Sequence, residues 1–175
     1  MASGKSALGR ALASEIDFSF LDLDNAIEER EGRSISRIFS EDGESSFRKA
    51  EDAALRATGD LNDHVIAVGG GTLAAARNMD WALEHGTVIF LDLDVDEIVR
   101  RLIRSRRRRP LIDALRNSPG ELERYVSRLL EERRPAYERA HISVRLERAS
   151  LRRNARSLAD ILRRHLSDRR TGSKD

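Results

Sequence analysis

Residues 3–24 read SGKSALGRALASEIDFSFLDLD, and the order of features in that stretch decides the fold class. Ser3-Gly4-Lys5-Ser6 matches the second half of the pattern G-x-x-x-x-G-K-[ST]. In such a loop successive backbone N–H groups surround phosphates, and the positive end of the following helix adds to the field. A helix does follow at once. Leu8, Leu12 and Ile16 share one helical face with Ala11 between them, which predicts a helix over about 6–15. Phe18-Ser19-Phe20-Leu21-Asp22 then reads as a short strand. Lys5 is expected to reach the β- and γ-phosphates of a nucleotide, and the Ser6 hydroxyl to bind Mg²⁺. A chance S-G-K-S is the competing reading of four residues; the helix starting directly behind Lys5 weighs against it.

Beyond this stretch the pattern keeps alternating helix and strand, which implies a parallel sheet wrapped by helices. Helices are predicted over 25–30, 35–40 and 44–58, with Ser34 as a cap and Gly43 as a break. His64 to Val68 reads as a buried strand running into Gly69-Gly70-Gly71. Helical segments near 73–76 and 80–84, a strand at 87–91 and a helix at 95–103 follow. A polar loop is expected through Gly120, then a long helix over 121–138 bent near Pro135, a strand at 142–146 and a helix at 157–166. The end from about Ser167 is expected to be disordered.

Composition narrows the function class. The chain has 175 residues, 39% hydrophobic and 35% charged, the balance of one water-soluble α/β domain. It has no cysteine, so neither a disulfide framework nor a thiolate site is available. A cytoplasmic enzyme fits. Lysine occurs only at positions 5, 49 and 174, which singles out Lys5. His64, His85, His141 and His165 are scattered without ligand spacing. The arginine-rich stretch from Arg104 to Arg109 allows three readings: a nucleic-acid patch, a solvated loop, or a lid that supplies an arginine to a transferring phosphate. It has no interleaved aromatics and the net charge of the chain is only +2, which disfavours nucleic acid.

Asp22-Leu23-Asp24 closes the predicted strand. Two residues apart on a strand, both carboxylates can face one site. Asp22 then serves a metal shell, and Asp24 takes a proton from a substrate hydroxyl. Turn-forming aspartates at a strand end are the alternative.

From here an ordered set of motifs accumulates: Phe20-Leu21-Asp22-Leu23-Asp24, Ile27-Glu28, Gly32-Arg33-Ser34-Ile35, Ile38-Phe39, Asp42-Gly43-Glu44, and Phe47-Arg48-Lys49-Ala50-Glu51. Val68-Gly69-Gly70-Gly71, Arg109-Pro110-Leu111, and Arg133 with Pro135 and Tyr137 come after them. The set resembles the shikimate kinase family over most of 1–166. The resemblance implies a three-layer α/β/α P-loop kinase fold with a parallel sheet, as one domain over 1–166. It also implies a substrate-binding insert at about 25–58 and a lid at about 104–120, with 167–175 a disordered tail. The implied reaction is transfer of the ATP γ-phosphate to the 3-hydroxyl of shikimate, on the route to chorismate and the aromatic amino acids.

The resemblance also assigns residues. Asp24, Arg48, Gly70, Gly71 and Arg133 are expected to bind shikimate, and Glu51 to orient Arg48. Ser3, Gly4, Lys5, Ser6, Ala7, Arg109 and Arg153 are expected to bind ATP, with Arg101 near the adenine. Ser6 and Asp22 are expected to hold Mg²⁺, and Lys5, Asp24 and Arg109 to carry the catalysis. Ile35 and Phe39 are expected to wall the substrate pocket. ATP and shikimate are the expected partners of a cytoplasmic monomer, with neither nucleic acid nor membrane involved.

The same resemblance places Met1 inside the phosphate loop, so the first strand and the first loop glycine are expected upstream of Met1. A chain without them is expected to be unstable or inactive, and a cooperative thermal melt counts against that expectation. Two rival readings remain at this point. One is another small-molecule P-loop kinase of the gluconate kinase type; the other is a non-catalytic remnant that binds a nucleotide or a partner.

Overall fold

The computed structural model describes residues 3–105, 110–115, 118–146 and 150–171. Helix α1 (Lys5–Ile16) leads through Asp17, at φ 59°, into strand β1 (Ser19–Asp22). Helix α2 (Leu23–Glu31) follows without a linker and stops at Gly32, whose φ of 65° is the left-handed conformation that glycine adopts at least cost. Ser34 caps α3 (Ile35–Arg56), its side chain accepting from the Arg37 N–H. Strand β2 (His64–Ala67), helix α4 (Ala76–His85), strand β3 (Ile89–Asp92) and helix α5 (Val95–Arg104) come next. Helices α6 (Pro110–Leu115) and α7 (Pro119–Tyr137), strand β4 (Ile142–Arg145) and helix α8 (Leu151–Thr171) complete the order. Among the described residues no helix is long and apolar enough to cross a membrane.

The strands pair in parallel as β1–β2, with Ser19 opposite His64 and Asp22 opposite Ala67, and as β3–β4, with Ile89 opposite Ile142. Side-chain alternation along them builds three layers. Phe20 faces α1, close against Gly9, while Leu21 faces the core of Leu23, Ile27, Ile38, Phe47 and Leu55 on α2 and α3. Likewise Ile89 and Leu91 face the core of α1 and α8, whereas Phe90 stacks on Tyr137 of α7 with ring centroids 4.9 Å apart. A further core of Ile98, Leu102, Ile112, Leu122 and Val126 joins α5, α6 and α7.

Several boundaries differ from the sequence reading. The parallel strands form two pairs rather than one continuous sheet. β2 and β3 are not hydrogen-bonded to each other, and each has one edge without a strand partner among the described residues. The core of α1 and α8, packed by Val65 of β2 as well as Ile89 and Leu91 of β3, holds the two pairs under one helical layer. Gly43 (φ 77°, ψ 177°) kinks α3 instead of ending it, because the helix resumes beyond one non-helical residue. The stretch read as a loop through Gly120 contains α6, and α7 begins at Pro119, where proline's missing N–H costs nothing. Helix α8 starts at Leu151 and continues past Ser167 to Thr171, so that part of the expected tail is helical. The last four residues, and Arg106 to Arg109 with the expected lid arginine, lie outside the described residues.

Candidate active site

β1 and β2 run parallel and end together, Asp22 beside Ala67, and Lys5, Ser6, Asp22, Asp24, Arg48 and Glu51 gather past these carboxyl ends. Gly4 adopts φ 81° at the start of α1, a conformation costly for a residue with a side chain, and its carbonyl accepts from the Leu8 N–H. Lys5 and Ser6 are thereby presented in the first turn. Lys5 Nζ lies 3.4 Å from Asp22 Oδ1 and 3.7 Å from Asp24 Oδ2. The Ser6 hydroxyl donates to Asp22 Oδ2.

The two carboxylates converge for a reason other than strand alternation. β1 ends at Asp22, and Asp24 belongs to the first turn of α2. Asp22 is the N-cap: its Oδ1 accepts from the Asp24 N–H at 3.1 Å, which folds the chain back so that both side chains reach Lys5. Leu23 between them is fully buried and anchors the turn. Burial is the largest single influence on the Asp22 carboxyl and opposes its ionisation. The Ser6 hydroxyl, the Lys5 charge and the Asp24 N–H together outweigh it and hold the pKa below the ordinary carboxylate value.

A second group adjoins the first. Gly69-Gly70-Gly71 turns back at the end of β2, closed by the Thr72 N–H donating to the Gly69 carbonyl at 3.1 Å. A methyl added at Gly69 would stand 3.5 Å from Asp24 Oδ1 and 3.5 Å from Glu51 Oε1. One added at Gly71 would stand 2.8 Å from Arg48 Nη1, so the guanidinium lies directly on this glycine. Arg48 is held by Glu51 at 2.8 Å and by Glu44 at 2.9 Å. Desolvation opposes its charge, but these two carboxylates outweigh it and raise its pKa above the ordinary guanidinium value. Phe39 is exposed, its ring 4.7 Å from that of Phe47, which Arg48 covers at 5.3 Å from the centroid, while Ile35 packs against the core of α2 and α3.

The remaining assignments divide. Arg133 is half-buried on α7, one turn before Tyr137, whose hydroxyl donates to the Gly70 carbonyl at 2.8 Å. This bond ties the helix that carries Arg133 to the glycine turn. Arg153 is exposed in the first turn of α8, its N–H donating to the Ser150 hydroxyl at 3.3 Å. Arg101, expected near an adenine, donates from Nη1 to the Ser3 carbonyl at 2.8 Å while Glu97 holds its Nε at 2.8 Å. Among the described residues no group of three or more His, Asp or Glu side chains is arranged around a common metal position. The contacts made by Tyr137, Thr72, Asn78 and Arg101 are not assigned from the sequence; Tyr137, four residues after Arg133, and Arg101, four after Glu97, carry a spacing that points to a shared face.

A lysine and a hydroxyl in the first turn of a helix, with paired carboxylates at the end of a parallel strand, make this an α/β phosphotransferase of the nucleotide-dependent kinase class. The family model for shikimate kinase matches residues 1–165. A shikimate kinase of Salinibacter ruber is 41% identical over 151 residues, covering 85% of this chain and 74% of the relative. One of Bacteroides fragilis is 35% identical over 171 residues, covering 95% of this chain and 94% of the relative. Among solved structures, the shikimate kinase of Bacteroides thetaiotaomicron superposes with a TM-score of 0.84 at 30% identity, covering 93% of this chain and 94% of that one. The Acinetobacter baumannii shikimate kinase, solved in complex with shikimate, gives 0.84 at 30% identity, covering 96% and 89%. The chain belongs to the shikimate kinase family, and its activity class is that of an ATP-dependent kinase acting on shikimate.

Proposed function

We propose that the described cluster transfers the ATP γ-phosphate to the 3-hydroxyl of shikimate, with Asp24 as the residue that joins donor and acceptor. The carrying observation is its position: 3.7 Å from Lys5 Nζ on one side and against the glycine turn and Arg48 group on the other. Lys5 and the backbone N–H groups from Ser3 to Ala7 hold the β- and γ-phosphates. Arg48 and Arg133 take the shikimate carboxylate, and the backbone at Gly70 and Gly71 lets the ring approach closely. Asp24 accepts the hydrogen bond of the attacking hydroxyl and takes its proton. The new bond joins that oxygen to the γ-phosphorus, and the bond to the bridging oxygen of ADP breaks in line with it.

The donor set fits Mg²⁺. The Ser6 hydroxyl and the ionised Asp22 carboxylate stand side by side next to Lys5, hard oxygen ligands of the kind this ion takes. Bound there with ATP, the ion supplies charge neutralisation on the phosphates. Arg109 completes the proposed charge stabilisation from the lid at about 104–120, and Arg153 the proposed ATP contacts; residues 25–58 form the substrate-binding insert. The proposed setting is the cytoplasm, with the chain acting as a monomer.

The test is shikimate-dependent ADP release by Asp24→Asn beside the unaltered chain. A general base contributes roughly 10²–10⁴-fold, so kcat is expected to fall at least about 100-fold while shikimate binding, followed by calorimetry, stays within a few-fold. Unchanged turnover removes Asp24 from the mechanism. An unaltered protein that binds ATP and ignores shikimate overturns the acceptor assignment.

A further inference from the structure

Thr72 directly follows the glycine turn and is almost completely buried, with a relative exposure of 1%. Its three polar groups are all used. The N–H closes the turn on Gly69, the carbonyl accepts from Asn78 Nδ2 at 3.1 Å, and the hydroxyl donates to Glu51 Oε1. Glu51 is itself buried, and its other oxygen accepts from Arg48 Nη1. Asn78 accepts from Arg56 Nη2 at 3.0 Å, and Arg56 is paired with Asp52 at 2.9 Å. The polar chain therefore leaves α3 at Arg48 and Glu51, crosses the glycine turn at Thr72, and returns to α3 through Asn78 and Arg56.

We infer that Thr72 is a positioning residue for shikimate: its hydroxyl fixes Glu51, and through Glu51 the direction in which Arg48 presents its guanidinium over Gly71. The physical reason is directional. A buried carboxylate with both oxygens engaged has one orientation, whereas a carboxylate with one free oxygen rotates to find a second donor. Arg48 already donates to the other oxygen at 2.8 Å, so a rotated Glu51 carries that bond, and the guanidinium with it, off the glycine. Arg48 in turn needs its remaining N–H groups aimed outward to make a bidentate pair with a carboxylate. The inference rests on the reading of Arg48 as the shikimate carboxylate ligand.

The experiment measures KM for shikimate, KM for ATP and kcat in Thr72→Val and Thr72→Ser. Valine keeps the shape and removes the donor; serine keeps the donor. The expected result in Thr72→Val is an approximately tenfold rise in KM for shikimate, with KM for ATP and kcat within about twofold. Thr72→Ser should keep near-normal constants. Thr72→Ala is the second variant, for the case in which valine prevents folding. It leaves space for a water to satisfy Glu51, and the same selective rise is expected at about threefold or more. Equal effects on both KM values, or a serine variant as impaired as valine, overturn the positioning role. Arg48→Ala is measured alongside. If it leaves KM for shikimate unchanged, the reading of Arg48 fails; if it raises KM while Thr72→Val and Thr72→Ala do not, only the inference about Thr72 fails.

Discussion

Replacing Gly71 by alanine tests the substrate site with one methyl group. The backbone at Gly71 lies outside the left-handed region, so alanine adds no dihedral strain. Its methyl would meet Arg48 Nη1 at 2.8 Å, Nη2 at 3.3 Å and Cζ at 3.4 Å, the first of which is too close for a real contact. The atom that must give is the tip of a long side chain, 40% exposed, so the guanidinium moves rather than the turn. A modest shift of the guanidinium preserves a bond to Glu51, so the stability loss is expected to stay under about 1 kcal/mol, or roughly 2–4 °C in melting temperature for a chain of this size. The effect on substrate is larger. A hydrogen bond to a charged group contributes about 1.5–3 kcal/mol, and losing one at the low end of that range weakens binding about tenfold. Steady-state kinetics should therefore show KM for shikimate up about tenfold with KM for ATP little changed. Gly86→Ala is the control, because a methyl there meets nothing within 4 Å. A Gly71→Ala enzyme that melts normally and keeps its KM for shikimate refutes the placement of Arg48 on the substrate carboxylate.

Two further substitutions separate packing from chemistry. Gly9→Ala puts a methyl 2.8 Å from Phe20 Cε2 and 3.6 Å from Val65 Cγ1, and Arg10 covers the same ring 4.6 Å from its centroid. Overpacking of this kind costs about 1–3 kcal/mol, so the melting temperature should fall several degrees; an unchanged melt means that α1 and β1 are not packed this closely. Asp22→Asn tests the depressed carboxyl through acid stability. Because the folded pKa lies below the ordinary 3.8, the ionised group stabilises the fold fully above that value, and the stabilisation is lost as pH falls through the folded pKa. The difference in melting temperature between Asp22→Asn and the unaltered chain should therefore be largest near neutral pH and shrink below about pH 4. A constant difference across that range removes the ionised Asp22 from the stabilisation of the site.

What the sequence made legible was set by local geometry. Gly4 and Lys5 were readable because the S-G-K-S motif and the helix directly behind it are adjacent in sequence, and the structure adds a left-handed Gly4 at that junction. Ser34 was readable because a cap signal acts within a few residues. Asp22 and Asp24 were expected to face one site by strand alternation; in the structure a capping bond brings both carboxylates to Lys5 instead. The hydrophobic period identified the buried face of α1 but said nothing about which strand edges meet, since β2 and β3 carry apolar residues whether or not they touch. The polar partners were the least legible. Thr72 reaches Glu51 across 21 residues and Tyr137 reaches Gly70 across 67, and no periodicity relates positions that far apart. Yet these long bonds hold the parts that have least rigidity of their own, a run of three glycines and the tip of an arginine. In this chain, motif spacing marks where phosphate and substrate chemistry can occur, and contacts distant in sequence determine how firmly the groups for that chemistry are aimed.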